Sequence, residues 1–166
     1  MSDIQDENHL IEERKKKLKE LKKNGINYPN SFRRSNLSMS LIEDYSEFSK
    51  EELSEKNISV SVAGRIMLRR VMGKASFSTI QDMTGRIQLY LRQDTIDNYE
   101  LFKDCDLGDI IGAKGVLFKT NTGELSIQVN EFNLLTKSLR PLPEKHLGLS
   151  DVCLLYTSPS PRDTIR

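Results

Sequence analysis

Apolar and polar residues alternate with two different periods along this chain, a helical period in its first third and a period of two after it. In residues 6–24 the apolar side chains of Ile11, Leu18 and Leu21 form one narrow stripe among basic residues, and no proline or glycine interrupts it. This spacing predicts an α-helix that ends at Gly25 and whose early acids and late bases suit the helix dipole. The helix is either a surface helix docked along its thin stripe or a basic element that contacts phosphate groups.

Residues 26–57 form a connector with a weaker pattern. Leu41, Tyr45, Phe48 and Leu53 are spaced so that one further helix is predicted here. The connector contains no catalytic or ligand-binding motif, so its expected contribution to function is low.

From Ile58 onward the alternation of apolar and polar residues predicts β-strands. In the first strand we expect Val60, Val62, Ile66 and Leu68 to point towards the core. The elements predicted after it are a strand over residues 75–83, a strand over 86–92, a helix over 94–106, a strand over 110–119 and a strand from 125 through 129.

Three strands, a helix and two further strands within about 80 residues are the layout of an OB-fold, a closed five-stranded barrel. The predicted fold class is therefore mainly β with α, an N-terminal helical segment followed by an OB-fold barrel whose helix lies between strands three and four. In this fold, oligonucleotides or oligosaccharides bind to the outer face of strands two and three and to the loops joining strands one to two and four to five.

Charge is strongly segregated along the chain, although 25 basic residues almost balance 24 acidic ones. Residues 14–23 hold seven basic side chains against one glutamate, and residues 64–92 hold six against one aspartate. Such blocks are typical of nucleic-acid binders, although solvated helices also carry basic faces. The second block coincides with the predicted ligand face.

The chain lacks the sequence features of membrane proteins, metalloproteins and enzymes. No apolar run approaches the roughly 18 residues needed to cross a bilayer and the first residues are polar, so we expect a cytoplasmic protein with no membrane contact. Cys105 and Cys153 have no metal-ligand or disulfide spacing, and His9 and His146 stand apart from any candidate triad. We therefore expect no catalytic site and no metal site.

Three side chains on the predicted ligand face have chemistry that suits nucleotide bases. Phe77, between Ser76 and Ser78, offers a surface on which an unstacked base can lie; the alternative is that its ring fills the barrel interior. The amide of Gln88 can accept from the ring N–H of uracil while it donates to a carbonyl oxygen. The carboxylate of Glu124 can accept from the same N–H of a neighbouring uracil; the alternative is a solvated turn residue.

Five blocks of the sequence resemble the anticodon-binding domain of bacterial class II lysyl-tRNA synthetases, namely residues 62–77, 85–90, 106–110, 122–126 and 139–143. The resemblance runs in order through residues 5–151. The Arg-Arg-x-Met-Gly-Lys-Ala-Ser-Phe block that ends at Phe77 and the Thr-Gly-Glu-Leu-Ser block around Glu124 are similar to the lysine enzyme rather than to its aspartate and asparagine relatives.

The resemblance implies a binding site for the U-rich anticodon of tRNA(Lys), on its anticodon stem-loop. By position, Phe77 matches the residue that stacks on the central anticodon base, Gln88 the residue that reads its edge, and Glu124 the residue that reads the first base. Arg69 matches an accompanying arginine contact. Further phosphate contacts are expected from four basic residues of the same domain, Arg65, Arg70, Lys74 and Arg86.

The resemblance also implies parts that this sequence does not contain. Family members carry a C-terminal catalytic domain that activates lysine with ATP and Mg²⁺, charges tRNA and forms a homodimer, and none of its three signature motifs occurs here. We therefore expect a truncated lysine–tRNA ligase that binds RNA, needs no cofactor and does not catalyse, with its dimerisation left open. The expected division is a basic helix and connector (1–57), an OB-fold anticodon-binding domain (58–138), a linker towards the catalytic domain (139–151) and a non-native, adapter-like tail (152–166).

Alternatives remain open from the sequence. Residues 152–166 could be a genuine Ser/Pro linker rather than a foreign tail. The barrel could bind single-stranded nucleic acid without regard to sequence, or it could be a protein-interaction module.

Overall fold

The computed structural model describes residues 2–143, in which four helices accompany a five-stranded sheet. The helices are α1 (Ser2–Lys23), α2 (Ser38–Tyr45), α3 (Lys50–Lys56) and α4 (Tyr99–Asp104). The strands are β1 (Ser59–Met72), β2 (Ala75–Gln81), β3 (Arg86–Arg92), β4 (Ile110–Lys119) and β5 (Leu125–Thr136). The expected tail (152–166) and most of the expected linker (139–151) lie outside the described residues. None of the described helices is long and apolar enough to span a membrane.

The five strands form a closed barrel in the order β1-β2-β3-β5-β4, and β4 pairs back onto β1. Neighbouring strands are antiparallel except β3 and β5, which run parallel where Gln88 faces Ser126 and Tyr90 faces Gln128. With α4 between β3 and β4, this is the OB-fold predicted from the order of elements. The interior is filled by alternate apolar side chains, among them Val62, Ile66, Ile80, Leu89 and Ile127.

The first strand departs from the alternation predicted for it. The pairing of β1 with β2 shifts by one residue, because Ile66 faces Ile80 whereas Leu68 faces Thr79. Such a bulge turns the following residues of the strand to the opposite face. Leu68 is therefore 52% exposed, and the prediction that it points towards the core is wrong.

The connector contains two short helices, α2 and α3, where the sequence pattern predicted one. A capping box begins α3: the hydroxyl of Ser49 accepts from the N–H of Glu52, and the Glu52 carboxylate accepts from the N–H of Ser49 at 2.7 Å. This reciprocal pair satisfies two amides at the start of the helix and so separates it from α2. Leu41 and Leu53 both reach the core, so the predicted apolar face is present but the helix that carries it is interrupted.

The last helix and the last strand differ in length from the prediction. Helix α4 covers Tyr99–Asp104 rather than residues 94–106, because the N–H groups of Thr95 and Ile96 form a turn on the carbonyl of Arg92. The side chains predicted for its apolar stripe are nevertheless all buried, namely Ile96, Tyr99, Phe102 and Cys105. Strand β5 continues well past its predicted end.

Helix α1 is attached to the barrel by charged side chains as well as by its apolar stripe. The Arg14 guanidinium donates to two backbone carbonyl oxygens beyond β5, and the Lys17 Nζ lies 2.9 Å from the Asp106 carboxylate. Burial of Asp106 raises its pKa, but hydrogen bonds from Lys137 and Lys17 outweigh burial and hold the pKa below its ordinary value. Leu21 packs against the core from the same helix, so α1 is docked by polar and apolar contacts together.

The turn between β2 and β3 is organised by Asp82. Its carboxylate accepts hydrogen bonds from Thr84 and Gly85 within the turn and, at 2.7 Å, from the backbone N–H of Ser38 at the start of α2. Burial opposes ionisation of Asp82, but the hydrogen bonds from Thr84 and Ser38 outweigh burial and lower the pKa from 3.8 to about 2. The ionised carboxylate therefore ties the connector to the barrel.

Candidate nucleic-acid interface

A groove with a volume of about 780 Å³ crosses the outer face of β2 and β3. The β1–β2 hairpin forms one wall and contributes Leu68, Arg70 and Met72. The loop between β4 and β5 forms the other wall and contributes Asn121 and Glu124. These are the strands and loops that were predicted to form the ligand-binding face of the barrel.

Three aromatic rings, from Phe77, Tyr90 and Phe118, form a row along the groove. Phe77 and Tyr90 face each other across the β2–β3 pair, with ring centroids 4.9 Å apart and planes inclined by 33°. Phe118 of β4 continues the row, with its centroid 5.9 Å from that of Tyr90. All three side chains are half-buried, so each keeps part of its ring open to the groove. Phe77 thus lies on the outer face of the barrel and not inside it.

Gln88 lies beside the aromatic row on the outward face of β3. Its side-chain oxygen accepts a hydrogen bond of 2.8 Å from the hydroxyl of Ser126, which is fully buried on the adjacent strand β5. Within residues 2–143 the Gln88 side-chain nitrogen donates no hydrogen bond. The Gln88 amide N–H groups are therefore available to a ligand in the groove.

Glu124 is exposed at the rim of the groove, where the β4–β5 loop enters β5. The loop is closed by two hydrogen bonds: the N–H of Thr120 donates to the Glu124 carbonyl at 3.0 Å, and the N–H of Glu124 donates to the Thr120 hydroxyl at 3.1 Å. Gly123 adopts a φ of 85° in this loop, a conformation that a glycine tolerates without steric cost. The Glu124 carboxylate forms no hydrogen bond with the described side chains, so it can accept a hydrogen bond from a ligand.

The charge of the groove is strongly positive. The charged side chains that line it among the described residues are Lys50, Arg69, Arg70, Lys119 and Glu124. Both of these lysines are held in place: Lys50 donates to the side-chain oxygen of Asn121 at 2.8 Å, and Lys119 donates to the Ser46 carbonyl at 2.6 Å. Four cations against one carboxylate suit a polyanion, even though the chain as a whole is almost neutral.

Arg69, a predicted RNA contact, lies at the edge of the groove with its guanidinium bonded to the C-terminal end of α4. It donates to the carbonyl oxygen of Phe102 at 3.2 Å and to that of Lys103. The bulge in β1 is the reason, because it pairs Arg69 with an inward-pointing residue of β2 and pairs Arg70 with Phe77. Arg70 is thus the arginine beside the aromatic row, and a role for Arg69 in RNA binding stays a prediction.

The other three predicted phosphate contacts do not line the groove. The Arg65 guanidinium donates to the carbonyl of Gly108 at 2.9 Å, and the Arg86 Nε donates to the side chain of Gln81 at 2.9 Å. Lys74 is exposed in the turn that joins β1 and β2. Their phosphate contacts stay predictions, for surfaces next to the groove rather than within it.

Sequence reasoning did not select four residues that help to build the groove: Tyr90, Phe118, Lys50 and Ser126. Tyr90 carried a usable signal, because it occupies the polar phase of β3, where the barrel interior does not require an aromatic side chain. Phe118 reaches the row only across β5, and Lys50 comes from the connector that was expected to contribute little. Both contributions depend on contacts between elements that are distant in the chain, which the local sequence does not reveal.

Comparison with known proteins finds matches for the barrel and for most of the chain. Residues 60–135 match the family model of the OB-fold nucleic acid binding domain of the tRNA anticodon type. The chain is also similar to lysine–tRNA ligases, with 57% identity over 152 residues to that of Legionella pneumophila (strain Lens), 57% over 149 to that of Nitrosomonas europaea and 53% over 148 to that of Methylobacillus flagellatus.

The similarity covers most of this chain but a smaller part of its relatives. The three matches include 91%, 89% and 88% of the chain and 31%, 30% and 29% of the respective ligases. The chain therefore spans less than a third of the length of the relatives that it matches. The identity to lysine–tRNA ligases confirms the resemblance drawn from the five sequence blocks. Residues 60–135 of this chain are thus similar to an OB-fold nucleic acid binding domain, within a longer segment that is similar to part of the lysine–tRNA ligases.

Proposed function

We propose that this chain binds the U-rich anticodon of lysine tRNA in the groove on β2 and β3. The observation that carries the proposal is the aromatic row of Phe77, Tyr90 and Phe118 within a groove lined by four cations and one carboxylate. Aromatic rings stack on unpaired bases, and an anticodon presents three of them in a loop.

Selection of uracil falls to the polar side chains next to the row. The free N–H groups of Gln88 donate to a uracil carbonyl oxygen, and the rim carboxylate of Glu124 accepts from the ring N–H of a second uracil. Cytosine presents an amino donor where uracil presents a carbonyl, so a donor at Gln88 disfavours cytosine. Phe77 and Gln88 together thus stack on and read one base, and Glu124 reads its neighbour.

Affinity comes largely from the phosphates. Arg70 on the β1–β2 hairpin and Lys50 with Lys119 on the opposite side flank the aromatic row, so a strand lying across the rings passes between two groups of cations. Each neutralised phosphate of a single strand contributes about 0.7 to the slope of log affinity against log salt concentration. Binding therefore weakens steeply with added salt.

We further propose that the chain supplies anticodon recognition to a class II lysine–tRNA ligase, which attaches lysine to tRNA with ATP and Mg²⁺ and acts as a homodimer. The similarity to lysine–tRNA ligases over 91% of the chain supports this proposal. By itself the chain binds RNA without catalysing, and a lysine-dependent ATP–pyrophosphate exchange assay tests that statement. Exchange by the chain alone would overturn it.

The deciding experiment titrates the chain with a fluorescently labelled anticodon stem-loop carrying three uracils and with a matched loop carrying three cytosines. The uracil loop is expected to bind more tightly, and Phe77→Ala or Gln88→Ala should each cost about 1–3 kcal/mol of its binding free energy. Tyr28→Ala removes an exposed aromatic ring outside the groove and should leave the affinity unchanged. Equal binding of both loops would indicate a sequence-indifferent binder, and no binding of either would favour a protein-interaction module.

A further inference from the structure

We infer that Phe118 is the surface on which the first anticodon base stacks, so that it serves the base read by Glu124 as Phe77 serves the base read by Gln88. The inference rests on the proposed function, which gives each of two neighbouring bases a polar reader but gives a stacking ring only to the central base. It makes Phe118 a residue that contacts RNA and contributes to specificity at the first anticodon position.

Phe77 and Gln88 stand in a definite relation on the β2–β3 hairpin. Phe77 is paired with Tyr90, and Gln88 lies two residues before Tyr90, on the side nearer the turn. Residues two apart in a strand share a face, so Phe77 and Gln88 are diagonal neighbours on the outer face of the barrel. Diagonal neighbours lie roughly 7–8 Å apart, within reach of aromatic and long side chains. A base that lies on the Phe77 ring therefore presents its edge to Gln88.

Phe118 and Glu124 repeat this relation on the β4–β5 hairpin. Phe118 is paired with Ser126, and Glu124 lies two residues before Ser126, again on the side nearer the turn. The hydrogen bond from the N–H of Thr120 to the Glu124 carbonyl continues the pairing as far as Glu124. Both side chains line the groove. In each hairpin an aromatic residue on the first strand thus has its polar reader as a diagonal neighbour on the second.

The ring of Phe118 is not needed to fill the barrel interior. Leu117, its neighbour in β4, is 1% exposed and points into the core, whereas Phe118 is half-buried on the opposite face. Its one aromatic neighbour among the described residues is Tyr90. Lys119 follows it directly and also lines the groove, so a nucleotide on Phe118 has a cation near its phosphate.

The rings provide separate surfaces rather than one flat surface. The plane of Tyr90 is inclined by 33° to that of Phe77 and by 57° to that of Phe118. With Tyr90 between them, bases on Phe77 and on Phe118 lie apart and do not form one continuous stack. Bases splayed in this way expose their edges separately, which sequence-specific reading of single-stranded RNA requires.

The test combines protein and RNA substitutions in one fluorescence titration. It uses the uracil stem-loop and two loops that carry an abasic nucleotide, at either the first or the central anticodon position. Phe118→Ala should weaken the intact loop by about 5- to 150-fold, which corresponds to one stacked base. It should weaken the loop without the first base by about twofold at most, because that loop has no base to stack there. The loop without the central base should show the full effect of Phe118→Ala, and Phe77→Ala should give the reverse pattern.

Two control variants separate stacking from general destabilisation. Phe32→Ala also removes a half-buried phenylalanine from the outside of β4, where the ring lies against Gly112 with the Lys114 Nζ 5.6 Å from its centroid. Because Phe32 does not line the groove, all three affinities should stay unchanged. Phe118→Tyr keeps the ring and should bind the intact loop within about twofold of the unsubstituted chain. If urea unfolding shows that Phe118→Ala does not fold, Phe118→Leu is measured instead and should show the same dependence on the first base.

The outcomes distinguish this inference from the function on which it rests. Equal binding of the uracil and cytosine loops would overturn the proposed reading of uracil and this inference with it. If the chain prefers the uracil loop but folded Phe118→Ala binds it within twofold of the unsubstituted chain, the stacking role of Phe118 alone is overturned. Equal losses on the intact loop and on the loop without the first base would also overturn it, because Phe118 would then act through the shape of the groove. A loss that disappears only when the central base is absent would assign Phe118 to the base of Phe77 and overturn the inference as well.

Discussion

Replacing Tyr90 by alanine should weaken RNA binding as strongly as replacing Phe77. Tyr90 is the central ring of the row, with centroids 4.9 Å from Phe77 and 5.9 Å from Phe118, so a base that stacks on either neighbour also covers part of it. Loss of one stacking surface costs about 1–3 kcal/mol of binding free energy per base, which is about 5- to 150-fold in Kd. Tyr90→Phe retains the ring and should bind within about twofold of the unsubstituted chain.

The same substitution also removes contacts that hold the row together, so its effect on stability must be measured separately. An aromatic pair is worth about 0.5–1.5 kcal/mol beyond the area that it buries, and Tyr90 takes part in two such pairs. Tyr90→Ala should therefore lower the free energy of unfolding by a few kcal/mol at most, mainly through lost aromatic contact and partial burial.

The assay is a fluorescence anisotropy titration with the uracil stem-loop at fixed salt, accompanied by a urea unfolding curve for each variant. The reasoning would be refuted if folded Tyr90→Ala bound the loop within twofold of the unsubstituted chain while Phe77→Ala lost fivefold or more. Stacking would then be confined to Phe77, and the row would be a packing feature of the barrel. Equal losses in Tyr90→Ala and Tyr90→Phe would also contradict stacking, because they would point to the hydroxyl group.

Three further predictions concern charge and the buried thiol. Asp82→Asn should lower the free energy of unfolding at pH 7 by about 1 kcal/mol after solvent screening. Because hydrogen bonds lower the pKa of the Asp82 carboxyl to about 2, the unsubstituted chain should lose this contribution as the pH falls from about 4 to 2, whereas the Asp82→Asn variant has none to lose. Urea unfolding of the unsubstituted chain and of the variant at several pH values checks this. Lys50→Ala should reduce the slope of log affinity against log salt by about 0.7, whereas Lys56→Ala at the other end of α3 should not, as salt titrations of the stem-loop would reveal. In a Cys153→Ser variant, Cys105 should resist a thiol reagent at pH 8 until urea is added, because burial raises the pKa of its thiol to about 12. Rapid labelling without urea would contradict the burial of Cys105.

Local alternation was sufficient to predict most of the barrel. Strand β4 begins at Ile110 and ends at Lys119, as the pattern of apolar residues indicates. Such bounds depend only on which residues stand two apart, so a single sequence contains them. Alternation also placed Phe77 on one face of β2 with Thr79 and Gln81, but it left open whether that face pointed outward. The capping box that begins α3 was also readable, since Ser49 and Glu52 have the spacing that forms one, but the apolar spacing of the connector favoured a single helix.

Features that depend on pairing between distant residues could not be predicted in this way. The bulge after Ile66 exists only relative to β2, and it decides that Leu68 and Arg70 face the groove while Arg69 bonds to α4. Phe118 joins the aromatic row because β5 brings β4 close to β3 in the barrel. In the sequence of β4, Phe118 looks like any other half-buried residue of that strand. A resemblance to a known family selects residues by position and does not reveal such a shift in register.

The pairing of β3 with β5 places the proposed base-reading residues and the proposed phosphate contacts on different parts of the barrel. Gln88 and Glu124, the side chains proposed to read bases, stand on either side of the seam between β3 and β5, which is parallel and contains three residue pairs. Parallel pairing is slightly weaker than antiparallel pairing, so this seam is a weak part of the barrel. Arg70, Lys50 and Lys119 lie on the β1–β2 hairpin, α3 and β4, whose antiparallel pairings and helix contacts do not involve the seam. A change that loosens β3 from β5 should therefore disturb both the proposed reading of uracil and the stacking of Tyr90 beside Phe118, whereas the proposed phosphate contacts should keep their positions.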